Sequence, residues 1–155
     1  MIGRREFGMA GVSAGALAAM AGAVKAQQAG GAVAHTEHDE MYAACAKACS
    51  DCQRACDMCT THCAHLLHAG EKEHMTTLAT CQDCADFCVA AAQIVARGGP
   101  FAATICAPCA EACAMCAKEC EKFPDDEHMK MCAEECRKCE QACRDMVKHA
   151  GDAER

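Results

Sequence analysis

Cys45–Cys63 reads CAKACSDCQRACDMCTTHC, six cysteines separated by four, three, four, three and four residues. At roughly 100° per residue, all six fall inside an arc of about 80° on an α-helix. The opposite face carries Lys47, Ser50, Asp51, Arg54, Asp57 and Thr61. The stretch is an amphipathic helix whose apolar stripe is written in thiols.

The same spacing recurs along the chain. Cys81, Cys84 and Cys88 form a second group. Cys106, Cys109, Cys113, Cys116 and Cys120 form a third, and Cys132, Cys136, Cys139 and Cys143 a fourth. Within the groups every gap is three or four residues, with a mean of about 3.6, the length of one helical turn. Thr36 and Asp39 can cap the first helix and Gly70 can end it. The second is predicted from Glu71 to Arg97, stopping at Gly98-Gly99-Pro100. Pro100 suits the first turn of the third helix. The segment FPDDE (123–127) closes the third helix and opens the fourth, its acids placed where the helix dipole favours them. The fourth is expected to end near His149, before Gly151. Pro108 breaks the scheme and is expected either to kink the third helix or to mark its true start.

Four helices with short connections predict an all-α, antiparallel four-helix bundle with a cysteine-lined core over residues 38–150. The sulfurs would then share one column, about 27 Å long from the span of the first group. Large core residues are scarce, since the chain has one Tyr, four Phe and no Trp. The 18 cysteines must therefore supply much of the interior.

Residues 1–26 look like an export signal. Arg4-Arg5 and Phe7 precede an Ala- and Gly-rich apolar run that closes on Val24-Lys25-Ala26, predicting Gln27 as the first mature residue. The arginine pair resembles the twin-arginine signal read by a bacterial translocase, which would deliver the protein to the periplasm without a stable membrane anchor. Residues 27–37 read as a disordered N-terminal segment. Cleavage would remove three of the 15 basic and one of the 22 acidic side chains, taking the formal charge from −7 to −9. Such a surface disfavours nucleic acid and anionic lipid.

Several chemistries suit a row of thiols. A disulfide framework fits an exported protein, but it usually spaces its cysteines irregularly through loops, and partners three or four apart on one helix are poorly directed for bonding. Zinc would use C-x-x-C pairs such as Cys49/Cys52, Cys81/Cys84 and Cys136/Cys139, yet tetrahedral sites close at four ligands and nothing breaks the stripe into fours. A thiol redox buffer needs an exposed pair of low pKa, for which Cys106/Cys109 beside Pro108 is the candidate. Cu(I) is soft and content with two or three thiolates, so a continuous ladder of sulfurs suits it best. Each bound Cu(I) replaces a thiol proton, so one ion per thiolate leaves the interior neutral. No triad, carboxylate dyad or phosphate loop is present, so the chain reads as a non-enzyme.

With its four Cys-striped helices, its CAPCAEAC (106–113) and CAEECRKCEQAC (132–143) segments and its twin-arginine pattern, the chain resembles the bacterial copper storage proteins, above all their exported, methanotroph-type members. That resemblance implies many Cu(I) ions per chain, a homotetramer, no catalysis, and supply of copper to copper enzymes. It extends metal ligation to all eighteen cysteines. His and Met at one open end are also implied, for which His38 and Met41, in phase with Cys45, are the candidates and the expected entrance. His74 and Met129 are in phase with their stripes and Met146 lies at the edge. Met58, Met75, Met115 and Met131 are predicted to point outwards, and His35, His62, His65, His68, His128 and His149 to be solvated.

Overall fold

The computed structural model describes residues 37–153, with side chains from 40 to 150. It contains α1 (Glu37–His68), α2 (Met75–Ala96), α3 (Ala102–Cys120) and α4 (Glu127–Ala153). The predicted signal, and the predicted disordered segment up to residue 36, lie outside the described residues, as does the side chain of His38. Glu37 already belongs to α1.

Local chemistry sets the helix ends. Gly70 has φ +102, and the amides of Gly70 and Glu71 reach back to the carbonyls of Leu67 and Leu66, each at 3.0 Å. This pairing satisfies the last carbonyls of α1, and Gly adopts the left-handed conformation without a Cβ penalty. Gly98, at φ +60, ends α2, its amide donating to the Val95 carbonyl at 2.9 Å. Asp126 caps α4: its Oδ1 accepts the amides of His128 at 2.8 Å and Met129 at 3.2 Å, the N-cap arrangement expected of an Asp.

The sequence-based boundaries need four corrections. The first turn predicted for α2 is a separate 3-10 turn, Lys72–His74, the tighter winding common at helix starts. Pro100 precedes α3 and occupies the second position of a turn closed by the Ala102 amide on the Gly99 carbonyl at 3.1 Å. Proline's fixed φ suits that position. Pro108 does not begin α3, which starts six residues earlier and runs through it. Thr104, whose carbonyl loses its amide donor to Pro108, is exposed, as is Pro108 itself, so water can satisfy the orphan. Finally, α4 continues past Gly151 to Ala153, because a single Gly costs a helix only about 1 kcal/mol.

The buried face of each helix follows one rule. On α2 it is His74, Thr77, Cys81, Cys84, Cys88, Ala91 and Val95, with His74 in the preceding turn; on α4 it is Met129, Cys132, Cys136, Cys139, Cys143 and Met146. On α3, Ala102 precedes the five cysteines. On α1, Met41 and Leu66 flank the six cysteines and pack against them, partly buried. Every step along these seams is three or four residues in strict alternation, a repeat of about 3.5 residues that favours left-handed supercoiling of neighbouring helices. Small residues beside the seams (Ala46, Ala85, Ala110, Ala114, Ala117 and Ala133) are also buried, which lets the helices approach closely.

Each helix packs on two neighbours: α1 on α2 and α4, and α3 on α2 and α4. Pairs such as Cys49 with Cys143, and Cys88 with Cys109, join the start of one helix to the end of the next. The result is an antiparallel four-helix bundle whose core is a column of cysteine. Among the described residues, no helix is long and apolar enough to cross a membrane.

Candidate metal centre

All eighteen cysteines are free and buried, none more than 2% exposed. The four seams bring them together in consecutive layers. Cys45 lies 3.8 Å from Cys106 at one end, and Cys49 lies 3.6 Å from Cys143 and 3.7 Å from Cys139. Towards the middle, Cys88 is 3.7 Å from Cys113, and Cys52 is 3.7 Å from Cys136. Cys56 then contacts Cys116, Cys132 and Cys136 at 3.7–3.9 Å, and Cys81 sits 3.6 Å from Cys116. Almost all of these contacts cross between helices; the within-helix pair Cys52/Cys56 is at 4.0 Å.

Sets of four thiols with sulfurs within 4.8 Å of one another recur along the column. They overlap: Cys52 and Cys84 belong both to the set with Cys56 and Cys136 and to the set with Cys88 and Cys113. Cys56 and Cys136 recur with Cys116 and Cys132, and Cys132 recurs with Cys59, Cys81 and Cys120. Closed tetrahedral sites would each own their ligands; here the ligands are shared from layer to layer. Shared thiolates suit an ion of low coordination number that accepts bridging sulfur.

Mutual hydrogen bonding splits the thiols electrostatically. A bond with Cys120, foremost, draws Cys59 down to about 5 and Cys116 down to about 6. At Cys106 the bond with Cys143 pulls downwards, but the bond with Cys45 and burial push the thiol up to about 12. Cys113 and Cys143 are raised through bonds with Cys109 and Cys106 respectively, with burial adding to both. A thiolate is favoured where its sulfur accepts a hydrogen bond from a neighbouring thiol, and burial opposes it at every position.

The Cys106/Cys109 pair, the candidate for exposed redox chemistry, is buried with both residues 0% exposed. A thiol-exchange partner has no access to it, because Pro108 faces outwards while the seam residues on either side face in.

The ends of the column differ. Where α1, α3 and α4 carry Cys45, Cys106 and Cys143, the seams finish in Val95, Ala102 and Met146. Met146, placed at the edge by helical phase, is 0% exposed because the strict three-four alternation carries it onto the seam. Met41 packs partly on the core and lines a groove between α1 and α4 with Arg137, Lys138 and Asp145. At the other end Met129 is buried, and its Sδ lies 3.5 Å from the Cys59 sulfur. His74 is buried there too, stacked on Phe123 at 4.1 Å, with its Nδ1 unpartnered.

Two of the histidines expected to be solvated are held in place. His62 is half-buried, with its Nε2 2.7 Å from Asp126 Oδ2, and its ring stacks on exposed His128 at 4.4 Å. Asp126 is 64 residues from His62, so no local sequence signal could have paired them. His65 and His68 are exposed, as are Met58, Met75, Met115 and Met131.

Comparison with known proteins agrees with this geometry. The model of the copper storage protein family matches residues 37–148, from the first residue of α1 to near the end of α4. The chain belongs to the copper storage protein family. Among relatives, it is 38% identical over 105 residues to the Bacillus subtilis (strain 168) protein named uncharacterized cysteine-rich protein YhjQ, covering 67% of this chain and 94% of that one. The bundle is similar to a cytosolic copper storage protein from Streptomyces lividans described with five coppers, with a TM-score of 0.66 at 32% identity, covering 72% of this chain and 95% of that one. It is also similar to the Cu(I)-bound copper storage protein BsCsp3, with a TM-score of 0.62 at 34% identity, covering 72% and 99%.

Proposed function

We propose that this protein stores Cu(I), holding many ions per chain along the thiol column. The carrying observation is the overlap of the four-thiol sets, in which one sulfur serves neighbouring positions. All eighteen cysteines are the proposed ligands, with Met41 and His38 adding soft donors at the α1 N-terminal end. Each ion enters as a singly charged cation and displaces a thiol proton, so loading leaves the buried column neutral and releases protons to solvent. A neutral interior avoids the desolvation penalty that buried net charge would impose. The proposed role is that of a reserve without catalysis, from which copper-dependent enzymes are supplied.

The twin-arginine pattern of residues 4–7 supports export to the periplasm, as in the methanotroph-type members, and family resemblance supports a homotetramer. The Streptomyces lividans relative is described as cytosolic. Fractionation of cells expressing the chain with intact Arg4-Arg5 and with both changed to Lys decides the location. Periplasmic protein only with intact arginines is the expected result, and equal cytosolic retention of both overturns export.

The storage function is tested by anaerobic titration of reduced, metal-free protein with Cu(I) against a strong chelator. Retention of about ten or more ions per chain is expected, whereas saturation at about four would mark closed tetrahedral sites.

A further inference from the structure

We propose that Cu(I) reaches the thiol column sideways, through a cleft between α1 and α4 where Met58, Met131 and His128 receive the ion and Cys59 and Cys132 take it inside; this rests on the storage function above. The cleft has a volume of about 220 Å³, and these five residues line it. Met58 and Met131 are 51% and 49% exposed, whereas Cys59 and Cys132 are each 1% exposed. Two thioethers and an imidazole thus meet solvent directly above two thiols of the column. Single exposed Met residues are ordinary on protein surfaces; two from different helices, facing one opening with a sulfur floor, form a graded series of soft ligands.

The imidazole is pre-positioned. His128 stacks on His62, and His62 is bonded to Asp126. Asp126 is itself fixed by accepting the amides of His128 and Met129 at the start of α4. Outer groups of this kind orient metal-binding rings. Of the charged groups on the rim, Arg54 pairs with Asp51 at 3.3 Å and Glu135 with Lys138 at 2.7 Å, and Glu134 adds a further carboxylate. A cation is drawn to such a carboxylate.

Beyond the floor the path is continuous. Cys59 and Cys132 share a four-thiol set with Cys81 and Cys120, and Cys132 lies 3.9 Å from Cys56 in the next layer. Transfer exchanges ligands without a redox change: copper stays Cu(I), each receiving thiol gives its proton to water in the cleft, and the thioethers and imidazole are left free for the next ion. The entrance expected from the sequence, at His38 and Met41, belongs to the opposite end of α1. The cleft places the faster route near the C-terminal half of that helix instead.

The test compares Met58→Leu/Met131→Leu with Met75→Leu/Met115→Leu, which removes two comparably exposed thioethers outside the cleft, in the full, reduced chain. Leucine conserves volume and removes the sulfur donor. Stopped-flow mixing with tetrakis(acetonitrile)copper(I) follows the ultraviolet absorption of Cu(I)–thiolate, and native mass spectrometry counts the ions at the end point. The Met58→Leu/Met131→Leu variant is expected to load about tenfold more slowly than wild type, to the same final count, while Met75→Leu/Met115→Leu loads at the wild-type rate. Loading of the Met58→Leu/Met131→Leu variant at the wild-type rate, or equal slowing of both double variants, overturns the lateral route. A wild-type chain that retains few ions would instead overturn the storage function.

Discussion

Cys136→Ala removes a fully buried sulfur that lies 3.7 Å from both Cys52 and Cys56 and belongs to at least two of the four-thiol sets. The void left is about 20 Å³; at roughly 24 cal/mol per Å³, with the lost transfer energy added, the metal-free chain should lose about 1–2 kcal/mol. The loss in copper depends on how the thiols are shared. If each sulfur bridges along a ladder, capacity falls by about one ion and the neighbouring layers still fill. If the thiols form closed tetrahedral sites, eighteen make four with two to spare, and one deletion removes about a quarter of the capacity. Native mass spectrometry after anaerobic saturation resolves single ions, and urea melts of the metal-free variant give the stability term. Loss of a whole block of ions, with Cys52, Cys56 and Cys84 left open to alkylation, would refute the shared ladder.

Three further outcomes are expected. Asp126→Ala removes the α4 cap and the partner of His62, costing about 1 kcal/mol in a thermal melt. Burial pushes the Asp126 carboxyl up, but its bonds with His62 and with the amides of Met129 and His128 hold it below the usual carboxylate range. Its contribution is therefore complete above the unfolded carboxylate pKa and lost as pH falls through the depressed folded value, so the variant should show a flatter acid limb in stability against pH. Pro108→Ala restores the missing amide donor to Thr104 inside α3, and the urea midpoint should rise, by an amount equivalent to about 1–2 kcal/mol after allowing for the looser unfolded chain. Gly70→Ala meets no atom within 4 Å but must adopt φ +102, so a loss of about 1–2 kcal/mol should come from backbone strain alone.

Much of the fold was legible because one residue type marks the buried stripe of every helix. The gaps of three and four between cysteines locate α1, α3 and α4 and identify which face of each turns inwards. They say less about α2, where only three seam positions are sulfur and the others are His74, Thr77, Ala91 and Val95. That seam becomes visible once the alternation is extended beyond cysteine, and the same extension puts Met146 inside rather than at the edge. Helix ends were harder to place, because the choice between a turn and a first helical residue at Pro100, or between an end and a continuation at Gly151, rests on differences of about 1 kcal/mol. The His62–Asp126 bond and the sharing of one cleft by Met58 and Met131 depend on which helices are neighbours, and that is fixed only when the bundle closes.

The α2 seam also bears on how such proteins change over evolutionary time. Thr77 and Ala91 occupy fully buried places on the same seam as the three cysteines of α2. Each could be exchanged for cysteine, or a cysteine for alanine, without altering helix length, turn chemistry or surface charge. Holding capacity can therefore drift in steps of one residue on an unchanged scaffold, letting lineages with different metal supplies diverge in content while keeping the same architecture.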